Sequence, residues 1–183
     1  MMLNKIVYSM ILSLGLAACA TQSAPQTATA PQYNAAALVG KWHCHAQFEE
    51  NMDYAFDIDY HADGTSRDKG ILTVRLSEKD LVWQFEAQTQ SKWRIDGAYF
   101  FEQQAAKPIV KLLPIENKNT RRLLKAFEKS NPEVLEMKKE LLDSLSKFDD
   151  EAFRGKIMTL NDKLFQVEVE IDDMKVMRTC QRR

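Results

Sequence analysis

Gly40-Lys41-Trp42-His43-Cys44-His45-Ala46-Gln47-Phe48-Glu49, residues 40–49, decides the fold class. Trp42, Cys44, Ala46 and Phe48 fall on one side of an extended chain, and Lys41, His43, His45, Gln47 and Glu49 on the other. An apolar side chain at every second position marks a half-buried strand, because successive strand residues point to opposite faces. The rhythm returns after a turn at Glu50-Asn51, where Tyr54, Phe56, Ile58 and Tyr60 alternate with Ala55, Asp57, Asp59 and His61. Ala62-Asp63-Gly64 reads as the next turn, residues 71–76 as a strand, and residues 77–79 as a turn again. Leu81, Trp83, Phe85 and Ala87 then alternate with Val82, Gln84 and Glu86. Trp93 and Ile95 lead into the hairpin dipeptide Asp96-Gly97, and residues 99–102 return from it. Residues 109–113, bounded by Pro108 and Pro114, make one more short strand. From residue 156 strands resume. Phe165, Val167, Val169 and Ile171 alternate with polar neighbours between turns at Asn161-Asp162 and Asp172-Asp173, and residues 174–180 form the last strand. About nine or ten strands joined by hairpin-length turns predict a mainly β protein, an antiparallel up-and-down β-barrel.

Residues 117–150 interrupt this pattern and predict a helical hairpin inserted in the barrel. Leu123, Leu124 and Phe127 mark a short helix. Ser130-Asn131-Pro132-Glu133 reads as the start of a second one, with proline in its first turn and Glu133 at capping-box spacing from Ser130. Val134, Met137, Leu141, Leu145 and Phe148 follow at steps of three and four, an apolar stripe expected to be fully used against the barrel. Such a hairpin would cap one barrel end as a lid, or plug it.

Charge and composition narrow the function. Across 183 residues, 25 Lys and Arg face 26 Asp and Glu, and no basic block argues for nucleic acid or a membrane-surface helix. The chain opens with Lys5 and an apolar run, residues 6–16, too short to span a bilayer and followed by small residues, which reads as a secretion signal. Leu16-Ala17-Ala18-Cys19 behind that run resembles the lipobox of bacterial lipoproteins, whose cysteine is lipidated and becomes the mature N-terminus. The resemblance implies a signal peptide at residues 1–18, a lipid on Cys19 and attachment to the cell envelope. Ala20 in place of aspartate implies the periplasmic face of the outer membrane. Residues 19–36, uncharged and rich in Ala, Thr, Gln and Pro, read as a flexible tether, and residues 37–183 as the β-barrel domain. With Cys19 assigned to lipid, Cys44 and Cys180 remain, and in an oxidising compartment they are expected to pair. The alternative is two buried thiols. A bridge would bring the first and last strands together, as closure of a barrel does.

Gly40-Lys41-Trp42 resembles the Gly-x-Trp motif of lipocalins, and Asp63-Gly64-Thr65 with Trp93-Arg94-Ile95-Asp96-Gly97 resembles small bacterial lipocalin-like domains. In lipocalins a late-strand arginine often packs over that tryptophan, a part the resemblance gives to Arg178. A barrel of this size is either filled by its side chains or holds one small ligand. Trp42, Phe56, Trp83, Phe85 and Trp93 are the candidate ligand-binding residues, and the same set would serve as plain core. His43, His45, Asp57, Asp59 and His61 share the opposite face. They read as exposed cross-strand pairs rather than as a metal site. No catalytic constellation is visible, and no cofactor is expected. The expected function is non-enzymatic binding of a small apolar, lipid-like ligand. The rival is a protein-binding accessory of envelope assembly or stress that uses the barrel surface or the hairpin. Inhibition of lysozyme ranks lower, since the Ser-Gly-x-x-Tyr loop of the lipidated β-barrel inhibitors is missing.

Overall fold

The computed structural model describes residues 31–76, 81–171 and 174–183. Residues 1–18, read as a signal peptide, Cys19, most of the segment read as a tether, and the turns assigned to residues 77–79 and 172–173 lie outside these. Among the described residues, nine strands are present: β1 (Gly40–Glu49), β2 (Met52–Tyr60), β3 (Thr65–Arg75), β4 (Val82–Asp96), β5 (Tyr99–Gln104), β6 (Ile109–Leu112), β7 (Phe153–Leu160), β8 (Leu164–Ile171) and β9 (Met174–Arg182). Two helices, α1 (Lys118–Ser130) and α2 (Pro132–Leu145), form a hairpin between β6 and β7. All the pairings are antiparallel, and eight strands close in the order β1-β2-β3-β4-β5-β7-β8-β9, with β9 returning to β1. The ninth strand, β6, lies beside the first half of β4, which has already paired with β5 along its second half.

Alternation predicts the inward face correctly along most of the wall. Trp42, Cys44, Phe56, Ile58, Phe85 and Phe165 are all buried. Cys44 and Cys180 stand opposite each other in the β1–β9 register, and their sulfurs are bonded. Closure of the sheet and the bridge are thus one event. On the chain-entropy account, a covalent loop of this length stabilises the fold by about 5 kcal/mol at most. Gly70 answers a different constraint. A Cβ there would stand 2.3 Å from Phe56 Cβ and 2.5 Å from the Ala55 carbonyl oxygen, so only glycine lets β3 pass this close to β2.

One barrel end is sealed around Trp42. Its indole nitrogen donates to the Leu38 carbonyl at 2.7 Å, behind a short 3-10 turn at Ala35–Ala37. Within the segment assigned to the tether, the Tyr33 amide already donates to the Gly97 carbonyl at 3.3 Å. The arginine stacked on Trp42 is Arg182, with Cζ 4.3 Å from the ring centre, and not Arg178. Arg182 also donates to the carbonyls of Val39 at 2.8 Å, Ala37 at 2.5 Å and Asp162 at 2.6 Å. Gly40 has φ of 123°, and a side chain there would meet Arg182 Nη1 at 2.6 Å. The glycine and tryptophan of the triplet are therefore coupled through that guanidinium. The last strand runs on past Cys180, which moves the arginine-bearing position four residues beyond the expected one.

The helical hairpin covers the other end. Leu124 of α1 is buried in a second apolar cluster with Leu72, Val74, Leu81, Trp83 and Phe85, and Val134, Leu141 and Leu145 of α2 pack against it. Met137 and Phe148 are each 44% exposed, so the stripe is only partly used. The capping box also does not form, because Ser130 is the last residue of α1 and donates to the Ala126 carbonyl. Asn131 separates the helices and gives α2 no side-chain cap, while Pro132 occupies the first turn as expected.

Candidate ligand cavity

Between the two apolar clusters the barrel is not filled. A cavity of about 570 Å³ lies against the second half of β1, the first half of β2 and the β8–β9 hairpin. Its apolar wall includes Phe48, Tyr54, Phe56, Phe153, Val169 and Val176. Ala46, opposite Tyr54 in the β1–β2 register, puts a small side chain at an inward position of this wall. The opening follows from topology. Among the described residues, β6 pairs only with β4 and β7 pairs with β5 no further than Phe153. The missing stretch of wall is crossed by residues 149–152. The Asp149 amide donates to Gln104 Oε1 at 3.0 Å, and Gln103 Nε2 donates to the Asp150 carbonyl, which ties this segment to the end of β5.

The cavity has a polar side. Arg178, on an inward position of β9, is 8% exposed and donates from Nη1 to Glu102 Oε2 at 3.0 Å. Ser66 donates to the other oxygen of Glu102 at 3.2 Å. Among the described residues, the Nε and Nη2 atoms of Arg178 have no hydrogen-bond acceptor, but the guanidinium lies 5.0–6.0 Å from the ring centres of Phe56, Phe100, Phe153 and Phe165, close enough for cation–π attraction. Burial alone would loosen its proton. The Tyr60 and Glu102 oxygens outweigh that and hold its pKa above the ordinary arginine value. Asp68, on β3, accepts from Tyr54 Oη at 3.1 Å and from Thr89 Oγ1. Burial nevertheless raises the Asp68 carboxyl above the usual carboxylate range, with the nearby Glu102 adding to the shift. The Tyr54 and Tyr60 hydroxyls are both pushed up, chiefly by burial, and stay protonated.

Of the five candidate ligand-binding residues, Phe56 lines this cavity. Trp42 lies in the sealed end, and Phe85 is fully buried under the hairpin. Trp83 borders a separate crevice of about 340 Å³ between β4 and the helices, where its indole donates to Glu128 Oε1 at 3.0 Å. Trp93 donates to the Thr65 carbonyl at 2.8 Å. Alternation along the chain does not by itself single out Asp68, Glu102 and Arg178 as site residues. Each carries charge at a position whose parity in its strand is apolar, in step with Leu72, Phe100 and Cys180, and that mismatch was the available signal. On the outer face, His43 Nδ1 lies 2.8 Å from Asp57, which also pairs with Arg183 at 2.9 Å. No group of three or more His, Cys, Asp or Glu side chains suited to a metal occurs among the described residues.

A closed eight-stranded antiparallel barrel with an interior cavity is compatible with a calycin-like fold. No protein-family model matches the chain, and no curated protein matches it in sequence.

Proposed function

We propose that the protein is a lipid-anchored envelope protein that binds one small, lipid-like amphiphile inside its barrel and acts by binding rather than by catalysis. The observation that carries this reading is the cavity between the two packed clusters. Its volume of about 570 Å³ is in the range of small-molecule sites, about 300–1,000 Å³. Its walls also have the usual composition of such sites, aromatic and aliphatic side chains with a few convergent polar groups. Ala46, a small side chain at an inward position of β1, lines the cavity as well. The lipobox-like Leu16-Ala17-Ala18-Cys19 supports attachment to a membrane, where such ligands are abundant.

The test uses the neutral fluorophore N-phenyl-1-naphthylamine with the full chain. Saturable enhancement at one probe per protein is expected, together with its loss in Ala46→Phe, which fills the cavity while Cys44–Cys180 still forms. Unsaturable or absent enhancement with the folded protein sinks the reading. Labelling with a palmitate analogue in cells is expected for the wild type and not for Cys19→Ala.

A second reading, docking of an envelope protein, draws on the outer side of the hairpin, where Leu123 is 62% and Leu135 49% exposed. Photocrosslinking from position 139 in cells is expected to yield a discrete adduct if that reading holds, and none if the hairpin serves only as a cap.

A further inference from the structure

The charges around the cavity are unequal. Asp68, Asp149, Glu151 and Glu170 line it, and among the described residues Arg178 is the one lining residue with a basic side chain. That one positive charge is already matched by Glu102 at 3.0 Å, and its guanidinium carbon lies 5.0–6.0 Å from the centres of four phenyl rings. Asp68 is differently placed. It receives hydrogen bonds from two neutral hydroxyls and, among the described residues, enters no ion pair. Asp149 and Glu151 sit on the segment that crosses the opening, and Glu170 on the facing end of β8, so the way in is acidic as well. A carboxylate or phosphate on a ligand would meet this surplus of like charge in a site partly shielded from water, where repulsion is strong.

We propose that the ligand is an amphiphile with a cationic amine head, its tail against Phe48, Phe56 and Phe153 and its charge beside Asp68. This rests on the ligand-binding reading above and names the chemical class it takes. The stacked rings of Tyr54 and Phe56, 4.6 Å between centres, supply a second attraction for a cation close to Asp68. Entry of a positive charge also relieves the burial that holds the Asp68 proton, so binding and ionisation of Asp68 reinforce each other.

Dodecylamine, dodecanol and dodecanoate, each below its micelle concentration, separate head group from tail. Calorimetric titration of the full chain at neutral pH is expected to show dodecylamine binding at least tenfold tighter than dodecanol, with dodecanoate weakest. Asp68→Asn is expected to reduce the amine preference to threefold or less while dodecanol affinity is kept. The exposed pair Glu151→Gln with Glu170→Gln, which leaves the buried network intact, is expected to lower amine affinity by a smaller factor and to weaken its salt dependence. Dodecanoate binding as tightly as the amine overturns the proposal, and so does an amine preference that survives in Asp68→Asn. Failure of all three probes to bind overturns the cavity reading itself together with this inference. Dodecanol bound without any preference for the amine overturns this inference alone.

Discussion

Arg178 and Arg182 sit on the same strand, yet the cost of disturbing each has a different origin. Arg182 lies at the barrel rim and is held by three backbone carbonyls and the face of Trp42. Arg178 is enclosed, and its charge is balanced by Glu102, itself 7% exposed. Glu102→Ala would leave a guanidinium buried without a counter-charge, a change that costs about 3–5 kcal/mol. Urea unfolding is expected to show a midpoint lowered accordingly, with the slope unchanged. Asp68 provides a pH signature of the opposite kind to a salt-bridged carboxylate. Its folded pKa is raised, so the folded chain binds its proton more tightly than the unfolded chain does. The associated stability is fully present below the ordinary aspartate value. It is lost as the pH rises through the raised folded value. Stability of the wild type minus that of Asp68→Asn is therefore expected to fall with rising pH across that window. A flat difference in thermal midpoints across it would contradict the burial of this group.

The helical hairpin shows how far an apolar stripe can be read without knowing its neighbour. Leu124 faces the cluster formed by Leu72, Trp83 and Phe85, whereas Leu135 points to solvent. Leu124→Ala is expected to destabilise by about 2–5 kcal/mol, through lost transfer energy and the cavity left behind. Leu135→Ala is expected to change stability by about 0.5 kcal/mol or less. Denaturant titration of both variants checks the orientation of α1 and α2 in one comparison. Ser130 and Glu133 illustrate a local rule that lost to a tertiary one. The box at Ser130 requires the chain to be non-helical there, but α1 runs through Ser130 and the turn is made at Asn131. Strand β6 was legible as an element from its bounding prolines. Its role was not, because pairing to β4 alone depends on where β5 stops.

Closure of the barrel and the Cys44–Cys180 bridge reinforce each other, since the sheet places the two residues opposite one another and the bond removes loop entropy from the unfolded chain. Reduction, or the double variant Cys44→Ala with Cys180→Ala, is expected to lower unfolding stability by up to about 5 kcal/mol without opening the β1–β9 pairing in native conditions. Urea titrations with and without reductant measure this. A difference near zero would mean that packing alone specifies the closure.

The barrel, its strand count, the inserted helices and the cysteine pairing were legible along the chain, because a period of two and hairpin-length turns are local signals that carry over directly into sheet structure. The site was legible only in part. Phe56 was found from its alternation, but Asp68, Glu102 and Arg178 come from three separate strands, β3, β5 and β9. Their meeting depends on register and on the direction in which the sheet closes, and neither is written in any single segment. The same holds for the opening. It exists because β6 leaves the wall between β5 and β7, a consequence of how strands compete for the edges of β4, which only the folded barrel resolves.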